Sequence, residues 1–218
     1  MKIDTTSQLT QNTSTATAPF LVIGGSGKTG RRVIERLEAL GHDVSGVSRS
    51  SAPSFDWNDD SNWGEVLEGV KALYVTYHPD LSVPGASDHI RALLAAAENE
   101  GVERIVLLSG RGEEEAQLCE RLVLSSRIPA TIVRCGWFNQ NFSESFFRDL
   151  LLSGTLAVPN AHVGEGYVDA HDIADVATAV LGEGGGGDVG DVMGIDVAFP
   201  DMGIGHRERP AEEKISKE

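Results

Sequence analysis

A glycine-rich segment near the N-terminus has the residue types and the spacing of a phosphate-binding turn. It reads Gly24-Gly25-Ser26-Gly27-Lys28-Thr29-Gly30, so that Gly24, Gly27 and Gly30 form a GxxGxxG pattern. Glycines let backbone N–H groups approach a pyrophosphate, and the N-terminus of a following helix favours negative charge. An apolar run at 20–23 precedes the segment and a helical pattern follows it, as a dinucleotide-binding turn requires. We therefore predict that this turn binds the pyrophosphate of NAD(P).

Two alternatives to a dinucleotide-binding turn stay open at this point. Gly27-Lys28-Thr29 has the GKT ending of a nucleotide-triphosphate P-loop, but that motif needs glycine at position 22, where the chain has Val22. The other alternative is a glycine turn that binds no ligand, because a single glycine fingerprint has many false positives. The strand before the turn and the helix after it favour the dinucleotide.

The end of the second apolar run bears on the choice between NAD and NADP. An Asp or Glu at this point would bind the ribose hydroxyls, whereas an Arg would accept a 2′-phosphate. The chain has Ser48-Arg49-Ser50, with no carboxylate and with a guanidinium between two hydroxyls. We therefore predict that NADP is favoured over NAD, with Arg49, Ser50 and Lys28 contributing to the phosphate site. An ordinary surface charge is the alternative for Arg49.

The elements that must position these residues follow an alternating pattern of short apolar runs and helical faces. Strands are predicted at 20–23, 43–48, 72–76, 104–108 and 130–135. Helices are predicted on the face of Val33, Ile34, Leu37 and Leu40 before Gly41, then at 63–68, 90–97, 113–126, 137–152 and 173–181. The alternation predicts an α/β fold, a Rossmann-like doubly wound parallel sheet whose carboxyl strand ends share one edge.

Composition divides the chain into four predicted segments. Residues 1–18 are rich in Ser, Thr and Gln and predict a disordered leader that is neither signal peptide nor anchor. Residues 19–136 predict the NAD(P)-binding Rossmann domain, and the weaker alternation of 137–182 predicts a separate small lobe. Four consecutive glycines then lead into 183–218, which we expect to be a disordered tail.

Charge and residue counts exclude several classes of function. A formal net charge of −15 argues against direct nucleic-acid binding and against binding to an anionic membrane. No apolar run is long enough to span a bilayer. The two cysteines form no CxxC pair, which favours a cytoplasmic location, and the six histidines lack the spacing of metal ligands, so no metal is expected.

Beyond the turn, the chain resembles the NmrA-like branch of the atypical short-chain dehydrogenases and reductases. The resemblance covers about residues 20–182. It is carried by GGSGKTGR at 24–31, FDW at 55–57, YVTY at 74–77, VLLSG at 106–110, WF at 137–138, NF at 141–142, YVD at 167–169 and DIA at 172–174.

The resemblance implies a cofactor across the strand ends and a substrate pocket between the Rossmann domain and a C-terminal lobe. The residues it implies are Asp56 and Trp57 near the adenine, Thr76 and Tyr77 near the ribose, Ser109 on the nicotinamide side, and Trp137 and Phe138 in the substrate pocket. Members of the family continue beyond the equivalent of Leu181. The change of composition after that residue therefore suggests a truncated or frame-altered C-terminus and an incomplete substrate lobe.

The chain departs from ordinary short-chain dehydrogenases in its acid–base residues. Their YxxxK pair should follow the fourth strand, but residues 110–120 read GRGEEEAQLCE and contain neither Tyr nor Lys. Tyr77 and His78 remain as candidate proton donors, with a surface role as the alternative for His78. We interpret Glu113, Glu114 and Glu115 as the first turn of a helix, where negative charge suits the helix dipole, rather than as the alternative, a cluster of catalytic acids.

Two functions therefore compete at the level of sequence. The first is an NADP-preferring oxidoreductase acting on a small organic substrate, which the aromatic pair Trp137 and Phe138 favours. The second is a non-catalytic NAD(P)-redox-sensing regulator acting through a protein partner, which the missing YxxxK pair favours. A folding-impaired remnant is a third interpretation, and the sequence gives no oligomeric state.

Overall fold

The computed structural model of the protein describes residues 18–156 and 166–182. The predicted tail at 183–218 lies outside these residues, as do the predicted leader apart from Ala18 and positions 157–165 of the predicted lobe. In the two described ranges, no helix has the length and apolar character needed to cross a membrane.

The described residues form alternating strands and helices. The strands are β1 (Phe20–Ile23), β2 (Val44–Val47), β3 (Ala72–Val75), β4 (Arg104–Gly110), β5 (Ala130–Cys135), β6 (Trp137–Phe138) and β7 (Tyr167–Val168). The helices are α1 (Gly30–Ala39), α2 (Trp63–Leu67), α3 (Ala86–Asn99), α4 (Glu114–Leu124), α5 (Phe146–Leu152) and α6 (Ala170–Gly182), with a 3-10 turn at Asn139–Asn141.

Five strands form one parallel sheet in the order β2-β1-β3-β4-β5. Phe20 of β1 lies opposite Val44 on one side and opposite Ala72 on the other, so β2 and β3 flank β1. A crevice forms outside the carboxyl ends of the strands where the strand order reverses, which here is between β1 and β3. The predicted α/β, Rossmann-like parallel sheet is confirmed.

Both faces of the sheet are buried, as expected for a parallel sheet covered by helices. Leu21 and Ile23 of β1 belong to the apolar core shared with α2, α3 and α4. Val22 between them belongs to a second core, shared with α1 and α6. Alternate residues of each strand thus pack against helices on opposite faces of the sheet. This packing holds the carboxyl ends of the strands in fixed positions.

Helix α1 starts directly after the glycine turn and ends where the sequence places a glycine. Gly41 has φ +82°, a backbone conformation that favours glycine, and its N–H donates to the Glu38 carbonyl at 2.9 Å. Val33 and Leu37 are fully buried. The prediction that Leu40 shares their face is wrong, because Leu40 caps the helix and is 66% exposed.

The predicted helix at 137–152 is wrong over its first half. Trp137 and Phe138 form β6, which pairs in parallel with Tyr167 and Val168 of β7. Only Phe146–Leu152 is α-helical. The pairing joins residues thirty positions apart, so the local pattern of apolar residues does not reveal it.

Helix α6 packs on α1 and on the central strands of the sheet. Its buried residues Ile173, Ala174 and Ala177 join the core that contains Val22 and Val133. The predicted lobe at 137–182 therefore includes a helix that covers the five-stranded sheet, while the boundary of the lobe stays a prediction.

Candidate functional site

An open cleft of about 1420 Å³ lies at the carboxyl ends of the strands. Its walls come from the segments that follow β1, β2, β3, β4 and β5. The predicted site residues that line it are Gly24, Ser26, Gly27, Lys28, Thr29, Arg49, Ser50, Asp56, Trp57, Thr76, Tyr77, His78, Ser109, Trp137 and Phe138. Of the predicted site residues, all of which are described, only Gly25 and Gly30 do not line the cleft.

The glycine turn is held by backbone hydrogen bonds to the end of β2. The N–H groups of Gly24 and Gly25 both donate to the Val47 carbonyl, at 2.9 and 3.0 Å. Gly24 has φ +84°, and a Cβ on it would collide with Oγ1 of Thr76. That Oγ1 donates to the Ile23 carbonyl at 3.0 Å, so β3 packs directly against the turn.

The other glycines of the turn allow close packing or leave backbone accessible. A Cβ on Gly25 would lie 2.8 Å from the Gly46 Cα, and one on Gly30 would collide with the Gly24 carbonyl. A Cβ on Gly27 would meet only the Gly24 carbonyl oxygen, at 3.0 Å, and otherwise face open space. Gly25 and Gly30 thus bring β2 and α1 against the turn, whereas Gly27 keeps its backbone open to the cleft.

Hydroxyl groups and one guanidinium form the cleft wall at the end of β2. The Oγ atoms of Ser48 and Ser50 are 3.3 Å apart, and Ser51 Oγ donates to the Ser48 carbonyl at 2.9 Å. Arg49 is exposed and makes no hydrogen bond or ion pair with any residue in 18–156 or 166–182. The nearby Asp56 carboxylate accepts the Asn58 N–H at 3.0 Å, and this bond lowers the pKa of Asp56.

Aromatic rings form the wall between the Asp56 segment and the end of β3. The rings of Trp57 and Tyr77 lie 4.6 Å apart, and Phe55 stacks on Trp63 at 5.0 Å. The Tyr77 hydroxyl forms a hydrogen bond of 2.7 Å with Nδ1 of His89 on α3, and desolvation raises the pKa of Tyr77. The Tyr77 phenol, a candidate proton donor from the sequence, is therefore already hydrogen-bonded to His89 within the aromatic wall.

A buried hydrogen-bond network lies at the ends of β4 and β5. Ser109 Oγ donates to the Glu120 carboxylate at 2.6 Å, and Arg134 donates to the same carboxylate through Nε and Nη2. Burial alone would raise the pKa of Glu120, but the bonds from Arg134 and Ser109 outweigh it and leave the pKa below its ordinary value. Because the Ser109 proton is committed to Glu120, this hydroxyl presents only lone pairs to the cleft.

The last residue of β4 and the loop from it to α4 contribute three further residues to the cleft: Gly110, Arg111 and Glu113. The carboxyl of Glu113 lies against Gly110, where an added Cβ would collide with Oε2. Desolvation and the nearby Asp80 carboxylate raise the pKa of Glu113 above the ordinary value of a carboxyl group. Cys135, on the neighbouring strand, has its pKa raised to about 12 by burial and stays a neutral thiol.

Polar contacts tie the glycine turn to the segment that follows β5. Lys28 Nζ donates to Asn141 Oδ1 at 3.2 Å. Arg32, which is almost fully buried, donates to the Glu144 carboxylate at 2.6 Å and to the Lys28 carbonyl at 2.7 Å, and Arg31 also pairs with Glu144. The two sides of the cleft are thus joined at the start of α1.

Sequence reasoning did not assign His89, Asn141 or Glu113 to the site. His89 and Asn141 reach it from α3 and from the 3-10 turn, so no pattern around the glycine turn or the strand ends indicates them. Glu113 follows β4 by three residues and belongs to the acidic triplet that the sequence assigned to the start of a helix rather than to a catalytic cluster. Among the described residues, no group of three His, Cys, Asp or Glu side chains is placed to hold a metal ion.

Comparison with known proteins agrees with this arrangement. The sequence profile of the NAD(P)H-binding family matches residues 24–183 of the chain. Prestalk A differentiation protein A of Dictyostelium discoideum is 27% identical over 187 residues, which are 78% of this chain and 62% of that protein. The uncharacterized oxidoreductase YesF of Bacillus subtilis (strain 168) is 28% identical over 174 residues, 75% of this chain and 60% of that protein. The chain thus spans about three fifths of the length of these relatives.

Among solved structures, the triphenylmethane reductase of Citrobacter sp. complexed with NADP(H) has a similar fold. The TM-score is 0.65 at 21% sequence identity, and the similarity covers 76% of this chain and 66% of the reductase. At this level of identity the comparison shows the fold alone.

Proposed function

The chain belongs to the NAD(P)H-binding family, and from this premise we propose that it is an NADP-preferring oxidoreductase of the NmrA-like branch that acts on a small organic substrate. The observation that carries the proposal is one continuous cleft, lined by the open turn at Gly27, the guanidinium of Arg49 and the Ser109 hydroxyl. Along the sheet edge, at the ends of β2, β1 and β4, the order is Arg49, Gly27 and Ser109, which is the order of the adenosine, pyrophosphate and nicotinamide parts of a dinucleotide.

The residues of the cleft fit the parts of a dinucleotide. Open backbone at Gly27 and the N-terminus of α1 suit a pyrophosphate. Trp57 and Tyr77 offer flat apolar surface for the adenosine half. Ser109, with its proton donated to Glu120, can accept a hydrogen bond from an amide such as that of nicotinamide. When bound, a reduced nicotinamide supplies a hydride to the substrate.

The preference for NADP rests on Arg49 within the same proposal. Its side chain has no ion pair or hydrogen bond in the described part of the chain, and the attraction of the nearby Asp56 carboxylate is the interaction with which a 2′-phosphate would compete. Asp56, the nearest carboxylate named in this wall, is already bound to the backbone of Asn58. NAD-binding proteins bind the ribose hydroxyls with a carboxylate at the end of the second strand. The residues at this place, Ser48-Arg49-Ser50, include no carboxylate.

Thermal unfolding with and without cofactor tests the binding part of the proposal. A ligand that binds only the folded state at 100 times its Kd stabilises by about 2.7 kcal/mol. For a chain of this size, the melting temperature should then rise by roughly 5–10 °C with NADPH and by less with NADH. The absence of a shift with either cofactor would refute the assignment of the cleft.

The role of Arg49 is tested by reversing its charge. Arg49→Asp removes the charge-assisted bonds to a phosphate, which are worth about 1.5–3 kcal/mol, so NADPH should bind about 10- to 150-fold more weakly. NADH affinity should stay equal or improve. Arg127→Asp, an exposed arginine that does not line the cleft, is the matched control for net charge. An equal loss in both variants would indicate a long-range charge effect.

Turnover distinguishes the oxidoreductase from a redox-sensing regulator that acts through a protein partner. The missing YxxxK pair favours the regulator, while the half-buried Trp137 and Phe138 in the cleft wall favour a bound organic substrate. NADPH oxidation should be measured with menadione as a simple quinone probe and with a cyclic imine. Tight NADPH binding without turnover of either probe would support the regulator.

A cytoplasmic location is part of the same proposal, supported by the two unpaired cysteines.

A further inference from the structure

We propose that Glu113 is the proton donor of this site, in place of the Tyr and Lys that the chain lacks after β4. This inference rests on the proposed oxidoreductase function and assigns its acid–base residue. Glu113 lines the cleft beside Ser109 and Gly110, at the end of the strand where the nicotinamide side of the site lies.

The position of the side chain separates Glu113 from an ordinary residue at the start of a helix. It is the N-cap of α4, yet its carboxyl makes no capping hydrogen bond to that helix, all of which is described. The carboxyl lies instead against Gly110, close enough that a Cβ on Gly110 would collide with Oε2. Glycine at position 110 therefore leaves the space that the carboxyl group occupies in the cleft wall.

The carboxylates around Glu113 favour its neutral form, whereas a hydrogen bond from its own backbone N–H favours the charged form. Asp80, from the loop after β3, lines the same cleft, and its carboxylate opposes the ionisation of Glu113. Glu115 on α4 acts in the same direction, while the Arg111 guanidinium also lines the cleft from the β4–α4 loop. Partial desolvation by the cleft walls is the largest effect, and the pKa of Glu113 is raised even though the residue as a whole is exposed. A bound substrate would exclude further water and raise it more.

The proton and electron balance of the step is complete. The electrophilic carbon of a carbonyl, imine or quinone accepts a hydride with its two electrons from the reduced nicotinamide. The O–H bond of Glu113 breaks, and its proton passes to the oxygen or nitrogen of the substrate. The substrate is reduced by two electrons, the nicotinamide is oxidised, and solvent reprotonates the exposed carboxylate. A carboxylic acid with a raised pKa is suited to this role.

Glu113→Gln tests the assignment, with Glu114→Gln as the matched control, because Glu114 is exposed on the same turn and does not line the cleft. With NADPH and menadione, Glu113→Gln should lower kcat by about 100-fold or more with little change in the KM for NADPH. The wild-type kcat should fall as the pH rises through the pKa of Glu113, and this dependence should vanish in Glu113→Gln. Gly110→Ala, which displaces the carboxyl without removing it, should also lower kcat.

A measurement independent of turnover follows the carboxyl itself. Titration of the side-chain ¹³C signals by NMR in the cofactor-free protein should show a carboxyl that titrates above the ordinary glutamate pKa of about 4.3 and that is missing in Glu113→Gln. If the wild-type protein reduces menadione and Glu113→Gln does so equally well, the assignment is refuted while the proposed function stands. If the wild-type protein binds NADPH but reduces no probe, the proposed function fails and the assignment fails with it.

Discussion

Adding one methyl group at Gly24 tests how the glycine turn at 24–30 is built. Gly24 and Gly41 have nearly the same backbone, with φ +84° and +82°. An alanine at either position adopts a left-handed conformation at a cost of about 1–2 kcal/mol. The surroundings differ, because a Cβ at Gly41 has no atom within 4 Å whereas one at Gly24 would collide with Oγ1 of Thr76. Comparing Gly24→Ala with Gly41→Ala therefore separates the cost of backbone strain from the cost of the collision with Thr76.

The extra destabilisation of Gly24→Ala has two sources. Thr76 must move and lose the bond from Oγ1 to the Ile23 carbonyl, worth about 1 kcal/mol. Overpacking between β1 and β3 adds about 1–3 kcal/mol. Gly24→Ala should therefore be less stable than Gly41→Ala by roughly 2–4 kcal/mol, a difference of about 5–15 °C in melting temperature. The reduced entropy of the unfolded chain affects both variants alike and cancels.

Urea unfolding of the cofactor-free protein, followed by tryptophan fluorescence, to which the buried Trp57 and Trp63 contribute, measures these differences. Thr76→Ala removes the colliding atom and leaves Cβ of residue 76 at an ordinary 3.4 Å from the added methyl group. The combination of Gly24→Ala with Thr76→Ala should therefore be more stable than the sum of the single changes predicts. Equal stability of Gly24→Ala and Gly41→Ala, or strict additivity with Thr76→Ala, would show that the turn does not pack on β3 as described.

Two further predictions concern the cofactor turn and the buried network. Gly27→Val should abolish the thermal shift with NADPH, because a branched side chain would cover the backbone that faces the cleft; retained affinity would disprove the assigned role. Glu120→Gln should destabilise the protein at neutral pH by less than the ~3–5 kcal/mol of a fully buried pair, since Arg134 is partly exposed. The lowered pKa of Glu120 gives stability that is present above its unfolded value and lost as the pH falls through the folded value. Urea unfolding should therefore show the two proteins converging in acid, and a constant difference across pH would contradict this.

The sequence predicted the fold correctly where the local pattern of residue types agrees with the packing of the core. The bounds of β1 and β5 were predicted to the residue, because both runs are mostly apolar and each is followed directly by a glycine, Gly24 or Gly136. Gly41 and Gly101 mark the ends of two helices through positive φ angles that favour glycine. Such patterns depend only on residues that are neighbours in the sequence. The structure agrees with them because the helices on both faces of the sheet bury the strands.

The sequence failed where distant residues decide the structure. Trp137 and Phe138 are extended because they pair with β7, and Leu40 is exposed because the chain turns at Gly41. The acidic triplet at 113–115 was interpreted as the first turn of a helix rather than as a catalytic cluster. Glu114 and Glu115 do lie in the first turn of α4 and Glu113 is its N-cap, but Glu113 also lines the cleft. Only the close approach of Glu113 to Gly110 distinguishes them, and that contact depends on the path of the loop after β4.

The packing of α6 has a consequence for the synthesis of this protein. The sheet face that contains Val22, Tyr74 and Val106 is covered in part by α6, the last helix of the described chain. As a ribosome releases the chain from its N-terminus, the strands of this face emerge well before residues 170–182 do. Until they follow, apolar strand surface stays open to solvent, and a nascent chain stalled before α6 is a substrate for chaperones. Production of this domain will therefore depend on the last helix as much as on the first turn.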